Sequence, residues 1–172
     1  MTQILQKRPA AITLRAGSLA KQHIQQEGLS AHQVDMIPGA AGGPKGIGLM
    51  GLDQAIFGDF LQRAKQRRFL IGSSVGAWRF AGILAQGELL GPERLAELYI
   101  IFLFHKKMTI AEIEKISREM LYSILDQHSQ KLVEHPEYHI TIIAAKEEHL
   151  FQSDQKFALY ISLLGIIDSK TN

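Results

Sequence analysis

Short apolar runs alternate with longer amphipathic stretches along the chain. Three runs, at residues 34–38, 69–72 and 138–145, predict strands, and residues 11–14 are a fourth candidate. The longer stretches carry apolar residues at three- and four-residue spacing, which predicts helices. These helices cover residues 16–27, 47–61, 75–85, 91–104 and 157–167, and a further one that begins near Thr109.

The helix that begins near Thr109 has the clearest start signal. Thr109 and Glu112 form a capping box, in which each side chain satisfies a backbone N–H of the first turn. The helix then places its apolar residues on one face: Ile113, Ile116, Met120, Leu121, Ile124 and Leu125. The stretch 95–104, with a basic end at 105–107, fits either a lipid-interface helix or a buried core helix, and we interpret it as core.

Strands alternating with helices predict one α/β layered domain over residues 1–172. Three or four strands are few for this many helices. The apolar segment 157–167 is also followed at once by a polar end, DSKTN. We therefore expect a domain that is incomplete at its C-terminus.

Charge and composition narrow the classes of function. The 19 basic and 17 acidic residues nearly cancel, which gives no reason to expect a nucleic-acid partner. The cluster Lys65, Arg67 and Arg68 is interpreted as a solvated helix end. The chain has no cysteine, which excludes disulfides and thiolate sites. No segment approaches the roughly 20 apolar residues of a membrane span. We expect a soluble cytoplasmic protein, compatible with peripheral contact at a membrane surface.

The strongest local motif is Gly72-Ser73-Ser74-Val75-Gly76, a match to G-x-S-x-G. A predicted strand precedes it and a predicted helix follows, as a nucleophile elbow requires. The turn is so tight that Gly72 and Gly76 must lack bulk. This pattern makes Ser74 the candidate nucleophile, with its hydroxyl at a helix N-terminus where negative charge is favoured. A chance match in a Gly- and Ser-rich turn is the alternative.

A second motif, Gly42-Gly43-Pro44-Lys45-Gly46, also lies between a strand and a helix. Glycines let backbone N–H groups converge on an anion. A nucleotide-binding P-loop is disfavoured, because Pro44 replaces its last glycine and Gly46 replaces its magnesium-binding hydroxyl.

Together the two motifs resemble the patatin-like phospholipase family over about residues 34–86. Ala41 departs from the family's first loop glycine, whereas Lys45 keeps its positive charge. The resemblance implies a three-layer α/β/α fold and hydrolysis of lipid acyl esters through an acyl-enzyme on Ser74. It implies an oxyanion hole from the N–H groups of Gly42, Gly43 and Val75, reinforced by Lys45. It implies a lipid or acyl-ester substrate as the partner. It implies neither a metal nor an organic cofactor.

The general base is the element that the sequence does not supply. The family's dyad aspartate precedes a glycine, and none of the six aspartates of this chain does. Either the aspartate lay in a longer chain or the activity is lost. An α/β-hydrolase triad would use a later histidine, for which His128, His135, His139 and His149 are the candidates. A metal pair of His135 and His139 is disfavoured because Pro136 opposes the helix it would need.

Overall fold

The computed structural model describes residues 12–101, 108–125 and 127–144. These described residues contain three strands: β1 (Met36–Gly39), β2 (Arg68–Ser73) and β3 (Tyr138–Ile143). The α-helices are α1 (Ser18–Glu27), α2 (Met50–Ala55), α3 (Val75–Gln86), α4 (Leu90–Ile101), α5 (Ile110–Leu125) and α6 (Ser129–Val133). Short 3₁₀ turns cover Ala31–Gln33, Gly43–Leu49 and Leu61–Arg63, and a π turn covers Ile56–Phe60.

The strands form one parallel sheet in the order β1-β2-β3. Gly39 of β1 pairs with Gly72 of β2, and Ser73 pairs with Ile143 of β3. Parallel strands need crossover connections, and helical segments supply both of them. The α/β class is thereby confirmed. The carboxyl ends of all three strands lie at one edge of the sheet, where α/β proteins commonly place their sites.

Helix α3 is the centre of the core, because it packs on all three strands while α4 and α5 pack behind it. Ten of its twelve residues are buried, and most of these side chains are apolar. This explains why the sequence of α3 is apolar on nearly every side. The opposite sheet face is about half exposed at Met36, Phe69 and Ile143. No described helix covers that face, so the described residues show helices on one side of the sheet.

Glycines set the approach of α4 to α3. A Cβ built on Gly91 would lie 2.3 Å from the carbonyl oxygen of Gly82. Two helices meet here backbone to backbone, at a distance that any side chain would prevent. Gly91 also lies directly before Pro92, which suits the first turn of α4.

Most predicted elements are found, with bounds shifted by one to four residues. The capping box is confirmed: the Thr109 N–H donates to Glu112 Oε2 at 2.7 Å, and the Glu112 N–H donates to Thr109 Oγ1 at 3.3 Å. The predicted inner face of α5 is also buried or partly buried.

Several expectations need correction or fall outside the described part. Residues 12–14 form no strand, and the single helix predicted over 47–61 is a chain of 3₁₀, α and π turns that begins at Gly43. Helix α6 was not predicted. The segments 102–107 and 157–167 lie outside the described residues.

The interpretation of the basic cluster was wrong for Arg68. Its side chain is fully buried at the start of β2. Its guanidinium donates to the carbonyl oxygens of Val34 at 2.9 Å, Ala31 at 3.0 Å and Ala64 at 2.8 Å. Carbonyl dipoles replace part of the hydration that burial removes from the charge. Arg68 thus joins the segments that precede β1 and β2, at the sheet edge opposite Ser74.

Candidate active site

Ser74 occupies the turn between β2 and α3 in a strained backbone conformation. Its φ is +52° and its ψ is −129°. Within the part of the chain that the structure describes, Ser74 is the one non-glycine residue with a positive φ. A side chain in this region costs of order 1–3 kcal/mol and is found mostly at functional sites. The strand–turn–helix elbow predicted from G-x-S-x-G is therefore present in geometry as well as in sequence.

The helix that follows fixes this turn. The backbone N–H groups of Ala77 and Trp78 donate to the Ser74 carbonyl oxygen at 2.9 and 3.2 Å. Ser74 is the N-cap residue of α3, and no side chain caps that end. The N–H of Val75 is among the first-turn amides that an α-helix leaves without an intrahelical acceptor. Val75 itself is buried, and its role in an oxyanion hole stays a prediction.

Gly72 and Gly76 are glycines because backbone atoms occupy the space of a side chain. A Cβ on Gly72 would lie 2.5 Å from the Cα of Ala77. A Cβ on Gly76 would lie 2.1 Å from the carbonyl oxygen of Gly39. Real Cβ atoms do not approach backbone so closely. The lack of bulk that the motif demands two residues on either side of Ser74 thus has a specific steric cause.

The glycine loop between β1 and α2 touches the elbow at both of its ends. At its start, Gly39 abuts Gly76. At its end, Gly46 is buried, and a Cβ there would lie 2.7 Å from Cγ2 of Val75. The structure therefore brings the two sequence motifs together at the carboxyl edge of the sheet.

Between these anchors the loop is open. Gly43 has a φ of +56°, and a Cβ on Gly42 or Gly43 would meet no atom within 4 Å. Lys45 is exposed on the 3₁₀ turn that follows. Such a loop leaves backbone N–H groups and one cation free to face an anion beside Ser74. The roles that the resemblance implies for Gly42, Gly43 and Lys45 stay predictions.

No described carboxylate serves Ser74 as a base. The hydroxyl of Ser74 makes no hydrogen bond with a described residue, and the described aspartates have other positions. Asp53 pairs with Arg79, Asp59 pairs with Arg63, and Asp35 precedes β1 at the opposite edge of the sheet. The remaining aspartates, Asp126, Asp154 and Asp168, lie outside the described residues.

The described histidines that follow Ser74 in the chain also lie away from it. His139 pairs with Phe69 in the sheet, and their rings are 5.7 Å apart on the exposed face. His135 precedes β3, and its Nδ1 accepts from the N–H groups of Glu137 and Tyr138 at 3.2 Å. Burial lowers the pKa of His135. His128 packs near the last turn of α3, and His149 lies outside the described residues.

A buried ion pair lies behind the site. Arg79 Nε donates to Asp53 Oδ2 at 2.7 Å, and Arg79 Nη2 donates to Asp53 Oδ1. The Arg79 side chain is 12% exposed and that of Asp53 is 2% exposed. The pair joins α2, which follows the glycine loop, to α3, which follows Ser74. Arg79 is the one charged residue of the otherwise largely apolar helix α3, and this interruption is the sign in the sequence of a buried partner.

Two further kinds of feature are absent from the described residues. No group of three or more His, Asp or Glu side chains is arranged to hold a metal ion there. No described helix is both long and apolar enough to cross a membrane.

Comparison with known proteins found no similar protein. No protein-family profile, characterised protein or solved structure matches this chain.

The strain at Ser74 can be measured through stability. Ser74→Ala and Ser74→Gly both remove the hydroxyl, but only glycine adopts φ +52°, ψ −129° without a Cβ penalty. The unfolded glycine variant has a larger chain entropy, which offsets part of this advantage. The glycine variant should still be more stable than the alanine variant by about 1 kcal/mol. Thermal melts should therefore differ by roughly 2–4 °C. Equal melts would show that the turn is unstrained.

Proposed function

We propose that the protein is a serine acyl hydrolase, of the phospholipase or esterase type, that cleaves lipid acyl esters. The observation that carries the proposal is the strained Ser74 at the turn between a parallel strand and a helix. A serine that lies in a G-x-S-x-G sequence only by chance would have no reason to hold this strained conformation. The lipid nature of the substrate rests on the resemblance to the patatin-like family, as does the proposed three-layer α/β/α fold.

In the proposed reaction Ser74 Oγ attacks the carbonyl carbon of the ester. The carbonyl oxygen becomes an oxyanion, which the N–H groups of Gly42, Gly43 and Val75 would stabilise. Collapse of this intermediate breaks the bond to the alcohol oxygen, which takes the proton that a general base removed from Ser74, and leaves an acyl group on Ser74. Water then attacks the acyl-enzyme and releases the fatty acid. No metal or organic cofactor takes part in this scheme.

A general base must accept the proton of Ser74, because an un-ionised serine hydroxyl is a weak nucleophile. The resemblance implies an aspartate in this role, and none of the described aspartates makes a hydrogen bond with Ser74. The setting we propose is cytoplasmic, with peripheral contact at a membrane surface that presents the ester.

One observation favours a second candidate, a catalytically inactive relative of such an enzyme. Ser74 forms no hydrogen bond with a base in the part of the chain that the structure describes. In this alternative the elbow and the glycine loop persist as structural features without turnover.

A fluorophosphonate probe distinguishes the two candidates, since it reacts only with activated serines. The expected result is covalent labelling of Ser74, found by mass spectrometry of the digested protein. Ser74→Ala should abolish labelling and the hydrolysis of p-nitrophenyl esters. Ser73→Ala is the matched control and should retain both, because Ser73 belongs to the strand rather than to the turn.

Two results decide against the proposal. Labelling that persists in Ser74→Ala would exclude Ser74 as the nucleophile. A folded wild-type protein that neither reacts with the probe nor hydrolyses esters would support the inactive candidate.

A further inference from the structure

A second concave site lies at the end of α3 opposite Ser74. It is a cleft of about 800 Å³ whose walls come from the last turn of α3, the start of α4, the end of α5 and α6. Helix α3 has 12 residues, which places the cleft ~18 Å from the elbow. The cleft is thus separate from the candidate active site and needs its own explanation.

Two cations are the charged groups among the described residues that line this cleft. Arg94 and Lys131 line it, together with His128 and the hydroxyl-bearing side chains of Tyr122 and Ser123. No carboxylate is present among its described lining residues. Lys131 makes no ion pair with a described residue, and the pair of Arg94 with Glu97 is long, at 3.3 Å, and exposed. An exposed pair of this kind contributes little, so it leaves Arg94 available to a ligand.

The walls of the cleft are held in place. The Gln86 side-chain amide donates to the carbonyl oxygens of Ser123 at 3.2 Å and Ile124 at 2.6 Å. These bonds join the end of α3 to the end of α5, on which Tyr122 and Ser123 lie. A site whose walls are already fixed loses less entropy when a ligand binds.

We propose that this cleft binds a phosphate group. An arginine, a lysine and hydroxyl donors are the groups that proteins use to hold phosphate, arginine by its fork and lysine as a point charge. The phosphate would belong to a small soluble phosphate ester or to a phospholipid headgroup. The proposal does not depend on the chemistry of Ser74.

The first arm of the test uses inorganic phosphate and glycerol 3-phosphate with the whole 172-residue chain. Titration followed by ¹H–¹⁵N NMR should give saturable shifts for the amides near Tyr122 and Lys131. The double variant Arg94→Gln/Lys131→Gln should weaken binding about tenfold for each charge removed. Arg15→Gln/Lys21→Gln removes the same charge from residues outside the cleft and should change the affinity less than about twofold.

The second arm uses vesicles of phosphatidylcholine with and without phosphatidylglycerol. Sedimentation with the anionic vesicles alone, lost in Arg94→Gln/Lys131→Gln, together with no binding of the small phosphates, would identify a headgroup site. Binding of the small phosphates without vesicle sedimentation would identify a soluble ligand. Thermal melts of each variant confirm that it is folded.

The proposal is overturned if neither probe binds. It is also overturned if the cleft variant and the control variant bind phosphate equally well, since the charge of the whole protein would then explain the attraction.

Discussion

Asp53→Asn is expected to lower the free energy of unfolding by about 3 kcal/mol. The substitution keeps the shape of the side chain but leaves the charge of Arg79 buried without its carboxylate. Breaking a buried pair from one side costs about 3–5 kcal/mol, and the slight exposure of Arg79 places this case at the lower end. Thermal melting should fall by roughly 6–12 °C in a chain of this size.

Two further variants test whether the loss of stability comes from leaving one buried charge without its partner. Asp59→Asn breaks the exposed pair with Arg63 and should cost less than about 1 kcal/mol. Asp53→Leu/Arg79→Met removes both buried charges and should recover most of the lost stability. A melt of Asp53→Asn that matches that of Asp59→Asn would contradict the assignment of Asp53 and Arg79 as a stabilising pair.

The ion pair bears on the proposed function through its position. It connects the helices that follow the two halves of the site, the glycine loop and the elbow. A serine hydrolase needs its donors fixed relative to its nucleophile, because misplacement of about 1 Å can cost on the order of a hundredfold in rate. Fluorophosphonate labelling of Asp53→Asn, at a temperature where it is folded, should therefore be slower than that of the wild type.

Local patterns predicted the geometry of the turn at Ser74. Gly72, Ser74 and Gly76 were assigned from spacing alone, and the structure supplies the steric reason for both glycines and the strain at the serine. The capping box of Thr109 was equally predictable, because all its partners lie within four residues. In each case the chemistry of the turn is contained in the sequence that forms it.

Long-range contacts were beyond such patterns. Arg68 looked like a surface residue beside Lys65 and Arg67, but its partners Ala31 and Val34 lie more than thirty residues earlier. Asp53 and Arg79 likewise meet across 26 positions. Helix α6 was missed because five residues are too few to show a period.

Among substitutions that add a single methyl group at the site, Gly76→Ala is expected to be the most damaging. The new Cβ would lie 2.1 Å from the carbonyl oxygen of Gly39 and 2.4 Å from its carbonyl carbon. Both neighbours are backbone, so no side chain can rotate away to make room. Overpacking usually costs 1–3 kcal/mol, and a contact between rigid elements belongs at or above the top of that range.

The methyl group must push β1 away from α3, and this movement would separate the glycine loop from Ser74. Gly76→Ala should therefore lose labelling at Ser74 under conditions where circular dichroism still shows a folded protein. Gly51→Ala is the matched control: a Cβ there meets nothing within 4 Å, and alanine is the better helix former by up to about 1 kcal/mol. Gly51→Ala should melt at or above the wild-type temperature and retain labelling. If Gly76→Ala behaves in the same way, then Gly39 and Gly76 are not in contact, and the elbow does not hold the glycine loop in place.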